Sequence, residues 1–544
     1  MTSDTASTQD EPTRLRRAIT GPLLFAFILG DVLGAGIYAL MGVLSEKVGG
    51  MLWAPLLLAL LLALLTAGSY AELVTKYPRA GGASVFAERA FHSPVVSFLV
   101  GFSMLAAGVT SAAGLAIAFA GDYLGTFFDL PTIPVAIAFL AVVAALNARG
   151  IRESLGANLV MTAIELSGLV IVIVVVGIFV AGGGGDASRL TQTPEGTPVA
   201  LAVLGGAVIA YYSFVGFETS ANMIEEVKDP RRTYPRALFG ALFTAGAVYV
   251  LVGVASSIAL PASELQESSG PLLSVVEAAG ASIPSWLFSL IALVAVANGA
   301  LLTMIMVSRL TYGMAEQNLL PSVLGRVLPN RRTPWVAILT TTLVAMGLTL
   351  VGDLATLAET VVLLLLFVFL SVNVSVLVLR RDRVEHDHFR IWTVIPVLGI
   401  GSCLLLLTQQ RPVVWLFGAI LLAVGGVLYL LARWSRTRSA SRAHSSDTPE
   451  ATDTTDTTDT QRSTMSTPDQ TPDDAMTSEE KRHDQLTAAP DATEADAAPR
   501  IEVSEHDGNT RIDIAPDAAV RPGPGPGVET ADETEDETET EPRD

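Results

Sequence analysis

Apolar residues come in long runs along this chain, separated by short polar stretches. The runs lie at about 21–44, 51–74, 94–121, 131–147, 157–181, 199–224, 236–260, 284–310, 335–351, 355–379, 391–408 and 412–433. An α-helix needs about 20 apolar residues to cross a bilayer. The pattern therefore predicts an all-α integral membrane protein with about 12 transmembrane helices, spans nine to twelve being the shorter ones. Polar segments over residues 1–20 and 435–544 flank the spans.

Two runs are interrupted near their middle. The first carries Gly34-Ala35-Gly36-Ile37-Tyr38 and the sixth carries Ser213-Phe214-Val215-Gly216-Phe217. A helix broken at that depth leaves N–H and C=O groups that hydrocarbon cannot satisfy. Such backbone persists only where protein packs around it or where it lines a polar cavity. A pair of glycine-interrupted spans in corresponding positions points to a midplane substrate site between two repeats.

The first ten spans divide accordingly. Residues 21–181 hold spans one to five, residues 199–379 hold six to ten, and residues 391–433 hold the last two. Five is odd, so the two sets cross in opposite senses, and each opens with a broken helix, which is the inverted-repeat pattern. The halves show no visible self-similarity, so the pattern rests on topology and on the breaks.

Charge fixes the orientation. With the N-terminus in the cytoplasm, the inner segments of the membrane domain carry 24 Lys and Arg and the outer loops only Lys47, Arg189 and Arg411. That asymmetry predicts an even span count, cytoplasmic termini and a multi-pass protein of the cell membrane. The mean hydropathy of +0.49 agrees with a membrane protein. The net charge of −20 belongs to the tail, where residues 445–544 hold 28 acidic and 7 basic side chains. The tail is Thr/Asp/Pro/Ala/Glu-rich and is predicted to be disordered. Its simplest role is a solvated segment, with a regulatory segment as the alternative.

Several residues carry candidate chemistry. Gly34 and Gly36 permit close approach of a ligand to backbone, and the half-helix after Gly36 presents free N–H groups and a positive dipole end suited to a carboxylate. Close helix packing is the competing role for such small residues. Phe214 and Phe217 flank the Gly216 break and either close over a ligand or pack. Acidic residues within spans are functional candidates by default. Glu165 lies mid-span, where a desolvated carboxyl can carry a proton or help hold a cation. Glu218 follows the second break and either faces a ligand or bonds freed backbone N–H groups. Asp31 precedes the first break, lining an inner exit path or bonding within the bundle. Asn298 and Thr303 are possible polar liners, and Glu225, Glu226 and Arg309 a possible inner gate or a solvated surface.

The segments GDVLGAGIYAL (30–40), PRAGGASVFAERAF (78–91), the span-six run with the EEVKDPRRTYPRA turn that follows it, and SRLTYGMAEQNLLP (308–321) resemble, in family order, amino-acid permeases of the amino acid–polyamine–organocation superfamily. The resemblance covers about residues 18–433 and leaves out the tail. It implies the LeuT-like arrangement of two inverted five-helix repeats with broken helices 1 and 6, in which a bundle of helices 1, 2, 6 and 7 moves within a scaffold. It implies substrate carboxylate at the backbone of Gly34, Ala35, Gly36 and Ile37. It implies the substrate amine near carbonyls around Ser213, Phe214 and Gly216, with Phe217 beside them. Some proton-coupled relatives carry a lysine in helix 5. This chain has Glu165 there instead, so the coupling mechanism does not transfer directly.

No phosphate loop of the GxxxxGK type occurs, Cys403 is the single cysteine, and no metal site or catalytic constellation is visible. The expectation is a secondary active transporter for amino acids, not an enzyme, with no cofactor. Its partners are the substrate and the lipid bilayer, with no nucleic acid. Glu165, Glu218 and Asp31 are the coupling or gating residues. Proton coupling is favoured, with sodium symport, exchange and polyamine or organic-cation transport as alternatives. An amino-acid sensor signalling through the tail is the alternative of another class.

Overall fold

The computed structural model describes residues 19–33, 36–78, 82–149, 155–280, 283–317, 319–328, 333–384, 386–445, 501–506 and 509–514. Gly34, Ala35, the segment over 1–18 and most of the tail lie outside them. Within the first unit every apolar run is helical. The first run is α1 (Gly21–Leu33) and α2 (Gly36–Val48), followed by α3 (Trp53–Lys76), the short α4 (Gly82–Phe91), α5 (Pro94–Phe119) and a single turn, α6 (Asp122–Gly125). Then come α7 (Thr132–Ala148), α8 (Leu155–Ala181), α9 (Val199–Tyr212) and, past the second break, a 3-10 run over Phe217–Glu226. α10 (Pro230–Ala259) leads to two short helices, α11 (Ala262–Glu267) and α12 (Pro271–Ala278). The last five are α13 (Ser285–Glu316), α14 (Trp335–Val351), α15 (Leu354–Leu379), α16 (Val394–Thr408) and α17 (Pro412–Ser445).

Starts follow local chemistry. Ser93 caps α5, with Pro94 at its first position, and Asp353 caps α15 by accepting the Thr356 N–H at 2.9 Å. These side chains satisfy N–H groups that a helix start leaves orphaned.

Among the described residues, nine helices are long and apolar enough to cross a membrane, counting each interrupted run once. The runs at Thr132–Ala148, Trp335–Val351 and Val394–Thr408 form helices of only 10–17 residues. The helix pairings have a regular pattern. α1 packs on α10 and α8, while α9 packs on α3 and α15. α5 packs on α15 and α14, while α13 packs on α8 and α7.

Buried aromatic rings knit the centre: Phe217 lies 5.5 Å from Phe369 and 5.7 Å from Tyr70 between ring centroids. A polar ladder joins α3 to α15. Ser69 donates to the Asn373 side-chain oxygen at 2.7 Å, and the Asn373 amide donates to Thr66 at 3.2 Å and to the Phe369 carbonyl at 2.8 Å. At the end of α3, Glu72 takes two bonds from Arg380, at 2.9 and 2.8 Å, and a third from the Ile391 N–H at 2.9 Å. Lys76 donates to the carbonyls of Leu379 and Asp382, both at 2.6 Å. At the other end of α15, Glu359 meets Arg411 at 2.6 Å and Lys47 at 3.8 Å.

Two features depart from the sequence reading. α17 continues to Ser445, ten residues beyond the predicted end of order at 435, because residues 434–445 contain no glycine or proline to stop it. Residues 450–544 form a second unit. In it β1 (Ile501–His506) and β2 (Asn509–Ile514) pair antiparallel, from Ile501 opposite Ile514 to His506 opposite Asn509. The predicted disorder does not hold for these two strands. Two short alternating runs around Asp507-Gly508 are a hairpin signal, outweighed in the sequence reading by the acidity around it.

Candidate functional site

The two interruptions meet. A Cβ placed on Gly36 would lie 3.1 Å from the Ser213 Cα and 3.3 Å from the Tyr212 ring, so α2 starts hard against the end of α9. After Tyr212 the chain turns through successive i→i−3 bonds from the N–H groups of Ser213, Phe214 and Val215, at 3.0–3.1 Å. It leaves the turn at Gly216, whose φ of +123° is open to glycine and rarely to other residues.

The segment beyond is a ten-residue 3-10 run where the sequence predicts an ordinary helical half. Its hydroxyls explain the tight winding. Thr219 donates to the Gly216 carbonyl at 2.8 Å and Ser220 to the Phe217 carbonyl at 2.5 Å, both three residues back. Long 3-10 stretches are uncommon and often mark hinges.

Freed backbone groups are satisfied one by one. The Tyr249 hydroxyl on α10 donates to the Val32 carbonyl at 2.6 Å and shares its proton with the Ser213 carbonyl at 3.1 Å, tying a loose acceptor of each break to one side chain. Glu218 accepts the Gly216 N–H at 3.0 Å, so of its two predicted roles the backbone one is present. Thr219 donates to the Asp31 carboxylate, joining the 3-10 run to α1.

A cavity of about 550 Å³ opens beside these groups. Asp31, Gly36, Ser213, Gly216 and Glu218 line it, together with Thr303 and Arg309. It extends from the breaks along the start of α5, the 3-10 run and the end of α13, where Ser97, Asn222 and Gln317 contribute. The remaining predicted residues sit elsewhere. Ile37 is buried in α2. Phe214 is buried with its ring 5.2 Å from that of Tyr249, and Phe217 is held between Tyr70 and Phe369. Both phenylalanines take the packing role, and Gly34 and Ala35 fall outside the described residues.

Glu165 is buried behind the cavity, between α8 and α13. Its Oε1 accepts the Asn298 amide at 2.9 Å, and its Oε2 has no hydrogen-bond partner among the described residues. Asn298 thus serves Glu165, whereas Thr303 faces the cavity. Tyr38, two residues past Gly36, donates to the Glu165 carbonyl at 2.5 Å, so α2 and α8 are linked at this level. Sequence reasoning missed Tyr249 and the Ser111–Tyr212 hydroxyl pair, whose oxygens lie 2.8 Å apart in the cavity wall. A tyrosine in an apolar run carries no signal of where its hydroxyl ends.

Among the described residues this arrangement holds no catalytic constellation. It is a set of backbone groups, hydroxyls and the charged side chains of Asp31, Glu218 and Arg309 around a chamber, suited to holding a small polar molecule. Comparison with known proteins agrees. Residues 21–432 match the family model described as Amino acid permease. The methylthioribose transporter of Bacillus subtilis (strain 168) is 25% identical over 462 residues, covering 80% of this chain and 97% of that protein. The vacuolar cationic amino acid transporter 4 of Arabidopsis thaliana is 29% identical over 373 residues, 65% of this chain and 61% of that one. The low-affinity putrescine importer PlaP of Escherichia coli (strain K12) is 29% identical over 332 residues, 59% and 70% of the two chains. With interrupted helices facing a chamber and the family model spanning the whole apolar region, the chain belongs to the amino acid permease family of multi-pass membrane transporters.

Proposed function

We propose that this chain takes up amino acids across the cell membrane by alternating access, driven by protons. The observation that carries this reading is the meeting of the two interrupted helices at Gly36 and Ser213 on one wall of the chamber. Backbone N–H groups at the start of α2 suit a carboxylate, and carbonyls in the turn after Tyr212 suit an amine. Together they recognise what all amino acids share.

The helix pairings support two inverted repeats within twelve spans. Exchange the first five spans for the next five, in order. The pairing of α1 with α10 becomes that of α9 with α3, and α1 with α8 becomes α9 with α15. Likewise α5 with α15 becomes α13 with α8, and α5 with α14 becomes α13 with α7. A pseudo-two-fold relation of this kind is how inverted-repeat transporters build a central site. The Lys/Arg asymmetry of the loops supports cytoplasmic termini, and with them a chamber that extends from the breaks toward the cytoplasmic side. At the opposite end the Lys47–Glu359–Arg411 cluster holds α2 to α15.

Glu165 supports the choice of proton, because its Oε2 is unpartnered among the described residues and the Tyr38 bond links its backbone to the half-helix that would hold substrate. The test is uptake of a panel of labelled amino acids into proteoliposomes under an inward proton gradient without sodium. Accumulation is expected in the parent. In Glu165→Gln, accumulation should fall at least about tenfold while exchange across preloaded vesicles persists, since a group that carries the driving proton serves net transport only. Unchanged accumulation in that variant removes Glu165 from coupling, and accumulation only with sodium replaces the proton.

A further inference from the structure

The chamber is divided by charge. Among the described residues its charged lining is Asp31, Glu218 and Arg309. All three lie on the cytoplasmic side of the breaks. Asp31 precedes the first break on α1, and Glu218 follows the second on the 3-10 run. Arg309 lies ten residues beyond Gly299 on α13, about 15 Å along the axis. The carboxylates are engaged there, with Asp31 taking the Thr219 hydroxyl and Glu218 the Gly216 N–H.

Away from these three residues the wall is different. It is formed by Ser111 on α5, Tyr212 on α9, Leu302 and Thr303 on α13, and Val361 and Leu365 on α15. None is charged. The hydroxyls of Ser111 and Tyr212 are 2.8 Å apart, one donating to the other. A substrate whose carboxylate and amine sit on the two breaks would turn its side chain toward this wall. A cationic side chain would be buried there without a counter-charge, the costliest form of desolvation. An apolar side chain would exchange water for leucine, valine and tyrosine surfaces.

We infer that the substrate is a neutral amino acid with an apolar side chain, selected by this uncharged wall. The inference rests on the transport reading above and narrows it to one substrate class. It sets this chain apart from those relatives whose names specify cationic amino acids or putrescine. The rival arrangement turns the side chain the other way, toward Asp31 and Glu218, and would favour lysine, arginine or putrescine.

Displacement of a labelled neutral amino acid from the purified full-length chain in nanodiscs separates them. Leucine, isoleucine and methionine are each tested as the label, with lysine, arginine and putrescine as competitors. The neutral members should bind and displace one another at concentrations at least about tenfold lower than the cationic compounds need. Placing a carboxylate in the wall, by Thr303→Asp or separately by Leu302→Asp, should reverse the order, with lysine gaining and leucine losing about tenfold each. The two positions use different surroundings, so failure of one variant to fold leaves the other. Binding of lysine, arginine or putrescine by the parent as tightly as leucine overturns the inference and leaves transport standing. Failure of every amino acid and of putrescine to bind overturns both.

Discussion

Gly216→Ala is expected to cut uptake about 10- to 100-fold, the largest effect of any single methyl group in the chamber. The residue holds φ at +123°, and conformations of that kind cost other residues about 1–3 kcal/mol. A factor of ten in rate corresponds to about 1.4 kcal/mol. Space adds to the strain. The new Cβ would sit 2.8 Å from the carbonyl oxygen and 3.0 Å from the carbonyl carbon of Asp31. Those are backbone atoms of α1 and cannot swing aside as a side chain would. Relief requires moving the 3-10 run away from α1, which strains the Thr219–Asp31 bond. The comparison is Gly205→Ala on α9, where nothing lies within 4 Å of the added methyl and uptake should stay within about twofold, as expected for a surface change away from special features. Initial rates in proteoliposomes with equal amounts of inserted protein give the result. Full activity of Gly216→Ala would mean that the break does not need its left-handed residue.

The breaks were legible because glycine in the middle of a span is expensive unless the backbone has a use for it. The same logic marked Glu165, Glu218 and Asp31, since a carboxyl is rare in hydrocarbon. The directions of side chains near a break were not legible. A helix has a period of 3.6, and that period fails where the turn begins after Tyr212 and the winding changes to 3-10. Phe214 and Phe217 therefore could not be assigned to chamber or core, and both went to the core. Tyr249 was missed because it lies on an uninterrupted helix, and its role comes from the packing of α10 against α1. The carbonyls it serves are orphaned by breaks on other helices. Asn373 and Glu72 were missed in a different way. Each lies in a run apolar enough to be read only as a span, and each is satisfied by partners about 300 residues away.

Glu72→Ala should be among the most destabilising substitutions, costing about 3–5 kcal/mol, the range for breaking a buried ion pair by removing one member. Glu72 is 2% exposed and Arg380 12%. Loss of the carboxylate leaves the Arg380 guanidinium, among the described residues, with Thr393 and the Ile391 carbonyl, both at 2.7 Å. The Ile391 N–H loses its acceptor as well. Arg380→Met alone should cost a similar amount, because it strands Glu72. The double variant Glu72→Leu/Arg380→Met removes both charges and should recover most of the loss, since replacing a buried pair by apolar groups is often neutral or better. Unfolding midpoints of the four proteins in one detergent form the cycle. Additive losses in the double variant would show that the two residues act separately. The result bears on motion too. The pair, the two Lys76 bonds and the Ser69–Asn373–Thr66 ladder tie the half of α3 that ends at Lys76 to the half of α15 that ends at Leu379. Parting them there would expose each of these groups in turn. The break at Gly216 and the 3-10 run offer backbone that bends, straining there the Thr219–Asp31 hydrogen bond. Rocking is therefore cheaper at the two broken helices than at α3, although α3 belongs to the bundle that the family resemblance expects to move.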